Sequence, residues 1–107
     1  MKPPYYAVIF TSVKRENMEG YSEMAEKMEA LAKEQEGFLG VESAQDEMGP
    51  STALGITVSY WKDLESIKKW KANTDHLQVQ QKGINEWYKS YTTRIALVER
   101  EYSFDKE

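Results

Sequence analysis

The sequence predicts a single α+β domain of β-α-β-β-α-β order, and three features carry that prediction. Four segments rich in β-branched and aromatic residues, 5–13, 39–46, 52–61 and 92–102, read as strands. Between them, apolar residues recur at the i, i+3, i+4 and i+7 spacing of a helix face. The length, 107 residues, suits one hydrophobic core.

Pro3-Pro4 closes a short N-terminal tail, because proline brings no N–H to a ladder. After the first strand, residues 18–35 predict a helix whose apolar face is Tyr21, Met24, Ala25, Met28, Leu31 and Ala32. Glu23, Glu26, Lys27, Glu29, Lys33 and Glu34 form its opposite, charged face. Gly37 follows and suits a left-handed helix stop. The run Asp46-Glu47-Met48-Gly49-Pro50-Ser51 is a turn, so strands two and three form a hairpin. Asp63 can cap a helix with apolar positions Leu64, Ile67 and Trp70. Asn73-Thr74-Asp75 is expected to interrupt it, with a second helical stretch from His76 to about Tyr88, weakened by Gly83. The fourth strand and a polar tail, Asp105-Lys106-Glu107, complete a core of about residues 5–103.

With right-handed crossovers this order closes as a ferredoxin-like sandwich, four antiparallel strands with both helices on one face. Strands one, three and four are apolar at nearly every position, the pattern of strands buried on both sides. The chain has no third layer to offer, so a second copy is the expected cover: a two-fold homodimer joined sheet to sheet.

Composition narrows the chemistry. Lys and Arg number 14 against 18 Asp and Glu, a formal net charge of -4, which argues against a nucleic-acid partner. The absence of cysteine excludes disulfides, thiolate metal sites and a cysteine nucleophile. A single histidine and no carboxylate cluster of ligand spacing predict no metal site. No G-x-G-x-x-G, P-loop or nucleophile elbow occurs. No run of 18 apolar residues and no signal-type apolar segment is present, so the expected location is cytoplasmic, with no membrane partner.

Strand three is asymmetric. Leu54, Ile56, Val58 and Tyr60 occupy one face; Ala53, Gly55, Thr57, Ser59 and Trp61 occupy the other. A row of small residues leaves space above a sheet, either for a ligand or for a partner's side chains. His76 is the one side chain whose ordinary pKa lies near neutrality, so it is the candidate proton acceptor; near a helix start and beside Asp75, its other reading is a solvated or capping-region residue. Trp70 and Trp87 fall at helical apolar positions and serve either core or cavity wall. Arg94, in a strand otherwise apolar, pairs with Glu42 or Glu99, or faces a ligand. Met24 and Met28 read as core filler.

The stretch TVSYWKDLESIKKWKANTDHLQVQQKGINEWYKSYTTR, residues 57–94, resembles the antibiotic biosynthesis monooxygenase family of small dimeric α/β-barrel proteins. The resemblance rests on a strand ending Tyr60-Trp61, a helix with Trp70, His76 six residues on, a terminal Trp87-Tyr88, and Arg94 in the last strand. It implies a cofactor-independent oxygenase of a small aromatic or quinone-type compound. Trp70, Tyr60, Tyr88 and Tyr91 would be the walls, Arg94 the anion stabiliser and His76 the base. A binding or stress-response protein without catalysis is the alternative on the same fold. The family's heme-degrading branch is a third. There, the iron ligand is a histidine ten residues after the helix tryptophan, and this chain has Gln80 at that position. That branch also carries an asparagine in strand one, where this chain reads Phe10-Thr11-Ser12. His76 is one helical turn away from Gln80, a shift of about 5–6 Å.

Overall fold

The structure, a computed structural model, describes residues 1–14, 21–45, 54–80 and 87–106, with 76–80 described in their backbone alone. The elements run β1 (Tyr5–Lys14), α1 (Tyr21–Glu34), β2 (Phe38–Gln45), β3 (Leu54–Trp61), α2 (Leu64–Gln80) and β4 (Tyr88–Val98). They build one antiparallel sheet in the order β2-β3-β1-β4, the arrangement of the ferredoxin-like sandwich.

The register places Ala7 between Tyr60 and Ala96, and Ser12 between Gly55 and Tyr91. α1 packs chiefly on β2 and α2 chiefly on β3. The buried apolar core is Tyr5, Ala7, Met24, Ala32, Trp61 and Ile67, and Trp61 is fully enclosed. Met24 and Ala32 come from the predicted apolar face of α1.

Local chemistry sets the boundaries. Gly37 takes φ 89° and turns the chain out of α1, while its carbonyl accepts a hydrogen bond from Lys62 N at 2.8 Å. Asp63 caps α2: its Oδ1 accepts from Ser66 N at 2.8 Å and from Ser66 Oγ at 2.7 Å.

Three expectations are corrected. Asn73-Thr74-Asp75 does not break α2, which runs unbroken from Leu64 to Gln80. The Thr74 hydroxyl donates back to Lys71 O at 2.9 Å, and Asp75 pairs with Lys71 at 3.3 Å one turn earlier, so both polar side chains are satisfied within the helix. Tyr88 belongs to β4 rather than to a helix, lying opposite Lys14. β4 ends at Val98 rather than Tyr102, because its partner β1 begins at Tyr5, immediately after Pro3-Pro4. The turn 46–51 and Gly83 lie outside the described residues.

Candidate functional site

Residues paired across antiparallel strands share a face, so the register sorts every strand residue to one side of the sheet. Trp61 stacks on Trp70 of α2, with ring centroids 5.8 Å apart and planes 28° apart. Its row therefore faces the helices, together with Tyr6, Val8, Phe10, Ser12, Gly55, Thr57, Ser59, Tyr91, Thr93, Ile95 and Leu97. The opposite, open face carries Tyr5, Ala7, Ile9, Thr11, Ile56, Val58, Tyr60, Thr92, Arg94 and Ala96.

The small-residue row of β3 lies on the helix-facing side. Two aromatic groups flank it. At one end Phe38 meets Trp61 edge-on at 5.4 Å, and Trp61 stacks on Trp70. At the other, Phe10 lies 5.7 Å from Tyr88 and 5.4 Å from Tyr91, and Tyr88 lies 5.7 Å from Tyr91. Tyr21 of α1 adds edge contacts to Tyr88 at 6.2 Å and Trp87 at 5.6 Å. Because α2 sits chiefly over β3, the helix-facing side of β4 is left half exposed: Tyr91 50 %, Ile95 52 % and Leu97 48 %. Burial pushes the Tyr88 phenol well above its ordinary pKa, reinforced by Tyr21 and Tyr91, so this hydroxyl stays protonated.

The predicted site residues do not converge on one pocket. Trp70, Tyr88 and Tyr91 share the helix-facing side. Tyr60 and Arg94 lie across the sheet on the open face, Arg94 opposite Ile9 and Tyr60 opposite Ala7. Arg94 is exposed, and Glu42 bonds not with it but with Tyr60, whose hydroxyl donates to Glu42 Oε1 at 2.6 Å. That hydrogen bond, aided by desolvation, raises the Tyr60 phenol to about 12. Tyr5, 5.7 Å from Tyr60 ring to ring, donates to Glu101 Oε2 at 3.3 Å, and desolvation together with Glu101 raises its phenol too. His76 and Gln80 lie on the last turns of α2, and their side chains are outside the described residues.

Sequence reasoning missed Lys14. It ends β1 on the helix-facing side and is only 4 % exposed. Its Nζ lies 5.1 Å from the centre of the Tyr21 ring and beside Gly55 of the neighbouring strand. The alternation Phe10, Ser12, Lys14 predicts its face, but its burial depends on the register that sets it near a glycine.

Among the described residues, no group of three or more His, Asp or Glu is placed to hold a metal ion. No described helix is long and apolar enough to cross a membrane. A depression of about 160 Å³ between the end of α1 and the start of α2 is lined by Gln35, Lys62, Asp63 and Lys69. It is a charged surface groove held by the α2 cap and an exposed Lys62–Glu36 pair at 3.6 Å.

Residues 4–82 match the family described as antibiotic biosynthesis monooxygenase. The chain is 50 % identical over 105 residues to the uncharacterized protein YqjZ of Bacillus subtilis, covering 98 % of this chain and 89 % of that one. Among solved structures, it is similar to SnoaB, a cofactor-independent oxygenase from Streptomyces nogalater. That match has TM-score 0.68 and 10 % identity, over 97 % of this chain and 100 % of the other. It is also similar to a dimeric ferredoxin-like protein from an uncultured marine organism, with TM-score 0.62 and 18 % identity, over 94 % and 100 %. At such identities the two structures bear on the fold alone.

Proposed function

Because the chain belongs to the antibiotic biosynthesis monooxygenase family, we propose that it is a cofactor-independent oxygenase of a small aromatic or quinone-type compound. It acts as a homodimer with one site per protomer on the helix-facing side of the sheet. One observation carries the reading: Gly55, Thr57 and Ser59 form a row of small side chains facing the helices, with Trp61 and Trp70 at one end and Phe10, Tyr88 and Tyr91 at the other. A flat ring fits over such a row, its faces against aromatic walls and its edge toward β4.

The chemistry needs no reductant. Loss of the phenolic proton leaves an oxyanion whose ring carbons are electron-rich. One electron passes to O₂, and the superoxide and ring radical couple to form a C–O bond, giving a hydroperoxide. The ring proton at that carbon then leaves while the O–O bond breaks. The products are a quinone and water, and all four electrons come from the substrate. His76, on the last turns of α2, is the proposed proton acceptor. The neutral Tyr88 hydroxyl is a donor suited to the developing negative charge. Arg94 and Tyr60 act instead on the open face, where a second copy docks.

Oxygen uptake with a panel of hydroquinones and naphthols tests the reading. One O₂ consumed per quinone formed, lost in His76→Ala, is the expected result. Binding of panel compounds without oxygen uptake would make the protein a small-molecule binder. A Soret band on heme titration would point to the heme-degrading branch.

A further inference from the structure

Lysine is among the side chains least often enclosed, because its ammonium must leave water. Lys14 is enclosed to all but 4 %. Among the described residues, three neighbours stand around it. The Tyr21 ring offers its face at 5.1 Å. Tyr88, its partner across β4, brings the aromatic group beside it. Gly55 gives the ammonium its space: a Cβ there would stand 2.7 Å from Lys14 Nζ and 3.3 Å from Ser12 Oγ. Among the described residues the ion pairs are Lys33–Glu29, Lys62–Glu36 and Lys71–Asp75, all exposed, so no described carboxylate neutralises Lys14. Among the described residues, then, the Lys14 ammonium stands beside aromatic rings at the foot of the small-residue row, with no carboxylate paired to it.

We propose that Lys14 is an anion anchor: its ammonium takes the ionised oxygen of a planar aromatic ligand, a phenolate or hydroquinone monoanion, whose ring lies along Gly55 and Thr57 against Phe10, Tyr88 and Tyr91. This rests on the proposed helix-facing pocket and adds the charge of the ligand it selects. The bond is charge-assisted and forms in a water-poor site, so the bound phenol loses its proton more readily than the free one. Such an anchor supplies the oxyanion from which electron transfer to oxygen begins.

The probe is 4-nitrophenol, whose phenolate absorbs apart from the phenol, with 4-nitroanisole as the analogue that cannot ionise. Calorimetry and absorbance titration of the full chain are expected to give tighter binding of 4-nitrophenol, bound as phenolate with its apparent pKa lowered. Lys14→Gln should weaken phenolate binding at least about tenfold and leave 4-nitroanisole binding unchanged. Lys14→Met provides a second variant should Lys14→Gln fail to fold. It keeps an unbranched side chain of similar length without the ammonium, so phenolate affinity falls while nitroanisole affinity holds. If both variants bind phenolate as wild type does, Lys14 is not the anchor, although the pocket stands. If neither compound binds the wild-type chain, the pocket and the anchor fall together.

Discussion

Trp61 and Trp70 stack at 5.8 Å with their planes 28° apart, the one closing β3 and the other on the inner side of α2. Trp61 is fully buried whereas Trp70 is half-buried, so the pair joins core to site wall. Trp61 Nε1 donates to Ser59 Oγ at 2.9 Å, which satisfies the indole inside the core. Trp61→Ala should cost about 3–5 kcal/mol, a large share of a small domain's stability, and Trp70→Ala distinctly less. Urea denaturation of both variants checks this; equal losses would mean that Trp70 is as much core as Trp61.

Gly37 holds φ 89°, and a Cβ there would collide with the Ser66 side chain. Gly37→Ala adds left-handed strain to that collision and should destabilise by more than about 1 kcal/mol. Gly40→Ala is the control, since among the described residues its Cβ meets only Tyr60 Cδ2 at 4.0 Å. Thermal unfolding should give a fall of several degrees for the first variant and little change for the second.

The Asp63 cap gives a pH signature. Hydrogen bonds from the Ser66 hydroxyl and amide hold its carboxyl below the usual range. A lowered folded pKa means that the carboxylate stabilises the fold above its unfolded pKa, and that this is lost as pH falls through the folded value. Asp63→Ala should therefore lower Tm at neutral pH, and the gap to wild type should narrow as acid protonates the carboxyl. A gap independent of pH would remove the carboxylate from the cap.

Tyr60 reports at the alkaline end. Its phenol is raised to about 12 by the hydrogen bond to Glu42. The neutral phenol's contribution is present below its unfolded pKa and is lost as pH rises through 12. Ultraviolet titration should show one tyrosine ionising near that pH, absent in Tyr60→Phe and moved downward in Glu42→Gln.

Much of this was legible along the chain. Richness in β-branched and aromatic residues marked the strands, Gly37 marked the helix stop and Asp63 the cap, because each is a local matter of residue preference, backbone freedom or a short hydrogen bond. The grouping of site residues was not. Tyr60 and Trp61 are neighbours in a strand and so point to opposite faces, yet only the stack of Trp61 on Trp70 tells which face meets the helices. Arg94 follows Tyr60 to the open face by pairing with Ile9. Asn73-Thr74-Asp75 looked like a break because polar side chains compete with a helix; here Thr74 and Asp75 both turn back onto Lys71 and sustain it. Lys14 was hidden for the reverse reason: its burial arises from a glycine some forty residues away, which only strand register brings near.

The open face carries the last prediction. Leu54 and Ile56 are 55 % and 40 % exposed there, beside half-buried Ile9 and Val58, an apolar patch that a second copy would cover. One row of this face runs Glu42, Val58, Ile9, Arg94, with opposite charges at the two edges of the sheet. A two-fold axis parallel to the strands would lay each charged end over the opposite end of the other copy. Sedimentation at micromolar concentration should thus give a dimer, and Ile56→Glu, which sets a charge in the patch, a monomer. Arg94→Glu should weaken the dimer at least about tenfold by placing like charges together, and adding Glu42→Arg should restore it. A wild-type chain that sediments as a monomer would refute the interface. A dimer indifferent to Arg94→Glu would keep the apolar contact but exclude this orientation of the two sheets.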